Sequence, residues 1–189
     1  DGRGGIWFTQ STRNGPEHGE RDLFRSVDVP TPDGALYYLP PASDGKVRVA
    51  VPAVEGLLFA NGLALDEVRG LIYVAETLGK RVLRFRMDTA TGRVTDRTTV
   101  FEGAHPDNLE LDPHHRLWIA LPVSSEIAVL DLASGKAERV SMACRRTGNS
   151  VCSSNSRTWG MARGSAQSRA TRRASSSEAM ARSNWPRGE

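Results

Sequence analysis

Two stretches of this chain match position by position. Asn61-Gly-Leu-Ala-Leu-Asp66 is followed by IYVAET and RVLRFRMD, and Asp107-Asn-Leu-Glu-Leu-Asp112 by LWIALP and EIAVLDL. The turns Thr91-Gly92-Arg93-Val94 and Ser134-Gly135-Lys136 then close the two units in the same place. A third version is already under way at Asp1: GGIWFTQST, then GALYYLPP, then DGKVRVAV. IYV at 72–74 and LWI at 117–119 stand 45 residues apart. IWF at 6–8 lies 66 residues before IYV, and the polar stretch Arg13–Pro32 reads as a loop insertion that accounts for the excess.

Within each unit, short apolar runs alternate with turn residues. The runs Ile6–Phe8, Ala35–Leu39, Val47–Val51, Leu71–Ala75, Val82–Phe85, Leu117–Leu121 and Ile127–Leu130 are rich in aromatic and β-branched residues. Gly-Gly, Pro-Asp-Gly, Ser-Asp-Gly, Thr-Gly and Ser-Gly lie between them, and such residues reverse a strand at low cost. No stretch keeps helical spacing, so an all-β meander is predicted. A repeat of roughly 40–50 residues built from four short strands is the signature of a β-propeller blade. One blade cannot bury its own faces, so neighbours must stack on it. Trp7, Tyr73 and Trp118 hold equivalent places in the three units and are predicted to pack between blades. About three blades are visible where closure takes about 4–8, so residues 1–140 are expected to form part of a ring. Their open faces are an aggregation liability.

Composition changes abruptly after residue 140. Residues 1–140 carry 16 Lys and Arg against 20 Asp and Glu, whereas 141–189 carry nine Arg, two Glu and no Lys. The overall charge of +3 therefore averages two unlike segments. The tail has 11 Ser and seven Ala but no Leu, Ile, Phe or Tyr, too little apolar surface to offset the entropy of ordering it. Residues 141–189 are therefore expected to be disordered. With apolar runs of at most about six residues, no membrane span is expected. No signal peptide is visible; the chain opens at Asp1 without Met, so a missing upstream segment is expected. Two Cys make no disulfide framework and leave the redox compartment open; the sequence names no location, the cytoplasm being favoured.

The motifs FANGLALD at 59–66, IYVAET at 72–77, HPDNLELD at 105–112 and LWIA at 117–120, in this order and at blade spacing, carry a resemblance. Together with DGRGGIWFT at 1–9 they resemble the senescence marker protein / gluconolactonase / luciferin-regenerating enzyme family and its strictosidine-synthase-like relatives. The resemblance covers about residues 1–140 and implies a partial six-bladed β-propeller of about three blades. It also implies a divalent cation at the channel mouth, calcium first, with zinc or magnesium as alternatives. The implied activity is hydrolysis of a sugar lactone or similar cyclic ester, a small-molecule substrate. By the same resemblance, Asn61 is a metal ligand, and Asp107 is a metal ligand and the general base. An acidic ligand of the first blade and an Asn just before Asp1 are not in this chain. Asn108 stands where lactonases carry Gly and is closer to the strictosidine-synthase-like branch.

Hard cations take amide and carboxylate oxygens at about 2.3–2.6 Å, so Asn and Asp suit calcium better than His or Cys. A carboxylate with a free oxygen can deprotonate an attacking water. On residue type alone, Asn61-Gly62 and Pro106-Asp107-Asn108 also suit plain turns. His105 reads as an exposed loop residue, and His114 and His115 as part of a hairpin turn. Glu76-Thr77 and Thr9-Gln10-Ser11 follow strands and are weaker candidates for the channel. Ser11 has no base and acid at readable spacing, which leaves a serine-hydrolase triad unsupported.

The Arg-rich tail invites a nucleic-acid reading, but it lacks interleaved aromatics, glycine repeats and a folded reader. A frame shift explains it better. Arg, Ser, Ala, Gly, Pro and Trp are what a GC-rich gene yields in the wrong frame. Reading Ala174–Pro186 from the old third codon base, with Ser as TCN and Arg as CGN, gives an apolar run, then Gly-Ser-x-Gly, and ends in Leu-Ala. That pattern resembles the closing strand of the family. Two alternatives to the hydrolase stand beside it: a propeller used as a non-catalytic binding platform, and an inactive product of a damaged reading frame.

Overall fold

The computed structural model describes residues 1–15, 17, 25–43 and 47–141. The expectations for 142–189, disorder and a frame shift, lie outside the described residues. Among the described residues eleven strands form three antiparallel sheets in chain order. The first contains β1 (Ile6–Gln10), β2 (Gly34–Leu39) and β3 (Val51–Leu57). The second contains β4 (Ala60–Asp66), β5 (Leu71–Glu76), β6 (Arg81–Asp88) and β7 (Arg93–Glu102). The third contains β8 (Leu109–Leu111), β9 (Arg116–Leu121), β10 (Glu126–Asp131) and β11 (Ala137–Ser141). Among the described residues the helices are short: α1 (Arg25–Asp28) in the polar insertion and a 3-10 turn at Pro122–Ser124.

Each of the last two sheets is a meander whose successive strands are neighbours, so tight turns suffice. The repeat seen in sequence is a repeat in space: β5 and β9 occupy the same place in their sheets, as do β6 and β10. β1 matches β5 and β9, so among the described residues the first sheet has its second, third and fourth strands but no counterpart of β4 or β8. β4 lies beside β8 on one side and beside β1 on the other. The inner strands therefore meet along one line while the sheets fan outward. This is a partial β-propeller of three blades.

Two apolar layers hold the blades together. Between the first and second sheets lie Trp7, Leu36, Tyr38, Leu57, Ile72 and Leu83, all buried. Between the second and third lie Tyr73, Val82, Leu117, Ile119, Leu121 and Leu130. Burying a side chain of this size contributes about 1.5–3 kcal/mol, so the faces between blades dominate the stability. The Tyr38 hydroxyl donates to the Thr89 carbonyl at 2.6 Å, tying β2 to the β6–β7 turn of the next blade. Gly92 of that turn sits at φ +71°, and a Cβ there would fall 2.7 Å from Tyr38 Cγ. Glycine thus meets both a left-handed backbone and a ring lying on it.

Trp7 and Tyr73 fill the places between blades that the repeat predicts. Trp118 differs: it stays half-buried, donating Nε1 to Asp112 at 3.0 Å beneath the Arg116 guanidinium. It faces the far side of the third sheet, where no described blade packs. The run Val47–Val51 differs too, since the strand begins at Val51 and continues through the less apolar VPAVEGL to Leu57. The outer strands β7 and β11 are almost wholly exposed and polar, which hides them from a search for apolar runs. Ile6 and Phe8 on the open face of β1, and Val140 on β11, are exposed, as the unpaired faces of end blades require.

Candidate functional site

Asn61 and Asp107 are the first residues of the two matching six-residue motifs, so the repeat sets them at equivalent positions on adjacent blades. Asn61 is in β4, and Asp107 leads into β8. The structure brings their backbones into contact: Gly62 N–H donates to the Asp107 carbonyl at 2.9 Å. A Cβ on Gly62 would stand 2.6 Å from Asn108 Cα and 2.7 Å from Leu109 N, with the Asp107 carbonyl closer still. Only glycine allows β4 to approach the next blade this closely. On its other side Asn61 accepts, through its carbonyl, a 2.6 Å hydrogen bond from the Thr9 hydroxyl of the first blade. All three blades are therefore tied together at Asn61. Asp107 N–H donates to the Ala120 carbonyl at 2.9 Å, and Ala120 N–H to the Asn108 carbonyl at 3.0 Å, which extends the β8–β9 ladder by one rung. Asp107 and Asn108 are thus irregular backbone just ahead of β8 that is nevertheless held against β9.

Both side chains are half-buried. Among the described residues no hydrogen bond or ion pair engages the Asp107 carboxylate. The Asn61 amide nitrogen reaches the Thr77 hydroxyl at 3.3 Å. That hydroxyl also donates to the Pro106 carbonyl at 2.7 Å, one residue before Asp107.

The entry to Asn61 is held under strain. Phe59, two residues before it, has φ +59°, an unfavourable region for an aromatic side chain. Thr77 N–H donates to the Phe59 carbonyl at 3.0 Å and Leu78 N–H to the Leu58 carbonyl at 3.2 Å. Leu58 N–H donates in turn to Glu76 Oε1 at 2.7 Å. The Glu76 side chain is fully buried, and its other oxygen accepts from Arg81 Nε, with Arg97 3.9 Å away. That pairing holds the Arg81 guanidinium above its ordinary value, mainly through the hydrogen bond to Glu76. Glu76 does not face the channel; it braces the turn that delivers Asn61.

The motifs end in Asp66 and Asp112, and these serve the opposite end of the inner strands. Asp112 accepts from His114 N at 2.9 Å, Arg116 N at 3.0 Å, Arg116 Nε at 2.8 Å and Trp118 Nε1 at 3.0 Å. Burial alone raises its carboxyl, but the bonds from Trp118, Arg116 and His114 outweigh it and hold the group well below the usual carboxylate range. Asp66, buried, accepts from Arg69 N–H at 3.1 Å and faces His115 Nδ1 of the next blade at 3.3 Å. His115 thus lies against an acid of the neighbouring blade as well as shaping a turn, a proximity invisible along the chain. His114 is exposed and His105 half-buried.

Among the described residues no three His, Cys, Asp or Glu gather as a metal cluster. The two candidates, Asn61 and Asp107, offer an amide and a carboxylate, both hard oxygen donors.

A search of curated proteins found no match. Among solved structures, the chain is similar to a luciferin-regenerating enzyme (19% identity, 73% of this chain and 43% of that one, TM-score 0.56). It is similar to the calcium-binding protein regucalcin of Agrobacterium tumefaciens (16% identity, 74% and 42%, TM-score 0.54). A gluconolactonase from Xanthomonas campestris is a further neighbour (23% identity, 72% and 43%, TM-score 0.51). At these identities the likeness establishes the fold, and the chain spans less than half the length of each. The family model described as SMP-30/Gluconolactonase/LRE-like region matches residues 1–157, which takes in every strand of the three blades and both Asn61 and Asp107. The chain belongs to the SMP-30/gluconolactonase/LRE-like family.

Proposed function

We propose that this chain carries part of the active site of a divalent-metal-dependent hydrolase that opens a sugar lactone or similar cyclic ester. The observation that supports this reading is the juxtaposition of Asn61 in β4 and Asp107 at the entry to β8, joined by the Gly62–Asp107 hydrogen bond. Their donor atoms fit the ion. An amide oxygen and a carboxylate suit calcium better than zinc, whose protein sites favour His and Cys. Asn61 and Asp107 are two of the donors, and a shell of 6–8 oxygens takes further ones.

Bound calcium supplies a Lewis acid that polarises an ester carbonyl. The residues supply the rest. Asp107, with no competing hydrogen bond among the described residues, accepts a proton from the attacking water. Asn61, neutral and held from both neighbouring blades, offers an oxygen without taking up a proton. The water's oxygen forms a bond to the ester carbon, the ring C–O bond breaks, and the proton held by Asp107 passes to the leaving oxygen.

The likeness to a gluconolactonase and to a calcium-binding protein is consistent with this chemistry. The test is lactone opening with calcium, followed by pH-stat, by a complete propeller that includes these three blades, since the fragment with two of the donors is expected to be inactive by itself. Turnover that disappears with a chelator, and that Asp107→Ala lowers by about 100-fold or more, is the expected result. Turnover unchanged in Asp107→Ala refutes the assignment. Calcium binding without turnover of any lactone favours the binding platform.

A further inference from the structure

The Thr77 hydroxyl carries one hydrogen and has two neighbours. The Pro106 carbonyl at 2.7 Å can only accept, so that hydrogen is committed to it. The Asn61 group 3.3 Å away must then donate, which turns the NH2 of the amide toward Thr77 and Oδ1 away. Among the described residues nothing hydrogen-bonds to that Oδ1. Thr77 is itself fixed through its N–H on the Phe59 carbonyl at 3.0 Å, within the strained turn before Asn61.

The blade fold does not need this hydroxyl. The residue after the equivalent strand of the third blade is Pro122, which has none, and that strand forms over the same six residues. What distinguishes Thr77 is its place between the two candidate residues, on the side chain of one and the residue before the other.

We propose that Thr77 is a positioning residue of the metal site. It sets the Asn61 amide with Oδ1 as the electron-donating end, and with the same hydroxyl it tethers the segment carrying Asp107. This inference rests on the reading of Asn61 as an oxygen donor to the cation, and the two can fail separately.

The test compares Thr77→Val, isosteric without the hydroxyl, with Thr77→Ser, which keeps it, in the full 189-residue chain. Two readouts are needed: the Asn61 side-chain NH2 signals in a 1H–15N spectrum without metal, and the affinity for calcium chloride by titration calorimetry. The expected result is that Thr77→Val moves the NH2 pair toward free-amide positions and weakens calcium binding by roughly 10- to 100-fold. Thr77→Ser keeps both within about twofold of wild type, well inside that range. Unchanged NH2 signals in Thr77→Val overturn the proposal. So does unchanged calcium affinity, or a Ser variant as weak as Val. If Thr77→Val does not fold, the wild-type spectrum decides: a nuclear Overhauser contact between the Asn61 NH2 and Thr77 Hβ supports the proposal, and its absence overturns it. Wild type that binds no calcium contradicts the hydrolase reading, while the NH2 signals still decide whether Thr77 orients Asn61.

Discussion

A carboxylate with no exposed surface must find its partners inside the protein, and Glu76 finds them in Arg81 and the Leu58 N–H. Replacing it by Ala takes the acceptor from both donors. A loss of about 1–3 kcal/mol is expected in urea unfolding, because the Leu58 N–H is left without its acceptor while Arg81, partly exposed, can turn to water. Glu76→Gln keeps an acceptor for Leu58 and is expected to lose less than Glu76→Ala. Asp112 gives the pH dependence. Its carboxyl lies below the ordinary value of 3.8 when folded, so the unfolded chain binds the proton more tightly. Its stabilising effect is complete above that value and fades as the pH falls toward the folded one. Asp112→Asn is therefore expected to flatten the fall in stability below about pH 4, read from urea midpoints between pH 2 and 6. Glu76 is legible in the sequence as a polar residue at a strand end, a position that normally faces water. The signal that points to its partner is Arg81, directly opposite across the Thr-Leu-Gly-Lys turn and in register with it. The Asp66–His115 pair has no such signal, since nothing within either segment announces a partner one blade away.

At the scale of elements, the joint between β4 and the entry to β8 is the feature on which the candidate site depends. Gly62→Ala pushes a methyl group into the main chain at Asp107–Leu109, which cannot yield without separating the blades. A loss of about 1–3 kcal/mol is expected, the usual cost of overpacking. Weaker protection of the Gly62 and Asp107 N–H groups in hydrogen exchange would localise it. Strands that face a neighbouring blade are readable from their apolar runs: β2, β5, β6, β9 and β10. β7 and β11 are not, because an outermost strand with water on most sides needs no apolar side chains. The run Val47–Val51 is offset from β3 by several residues for a related reason: the apolar Val47 and Val49 are exposed, while Leu57 at the far end of the strand is buried.

For the whole molecule, a spacing of 45 residues between like strands translates into blades, because a repeat too small to bury itself must stack. The same repeat puts Asn61 and Asp107 at one position on neighbouring blades, and that much of the candidate site is legible in the order of the residues alone. The bracing by Glu76 and the tether through Thr77 are not, since both run between segments that are far apart or turn back on each other. The central claim is that Asn61 and Asp107 hold the same ion. Calcium titration of wild type, Asn61→Ala, Asp107→Ala and the double variant, with folding checked by circular dichroism, tests it most directly. Two residues sharing one ion should be coupled: each single variant loses most of the affinity, and the double variant loses little more than the worse single. Losses that simply add, or affinity unchanged in either single variant, would contradict a shared site.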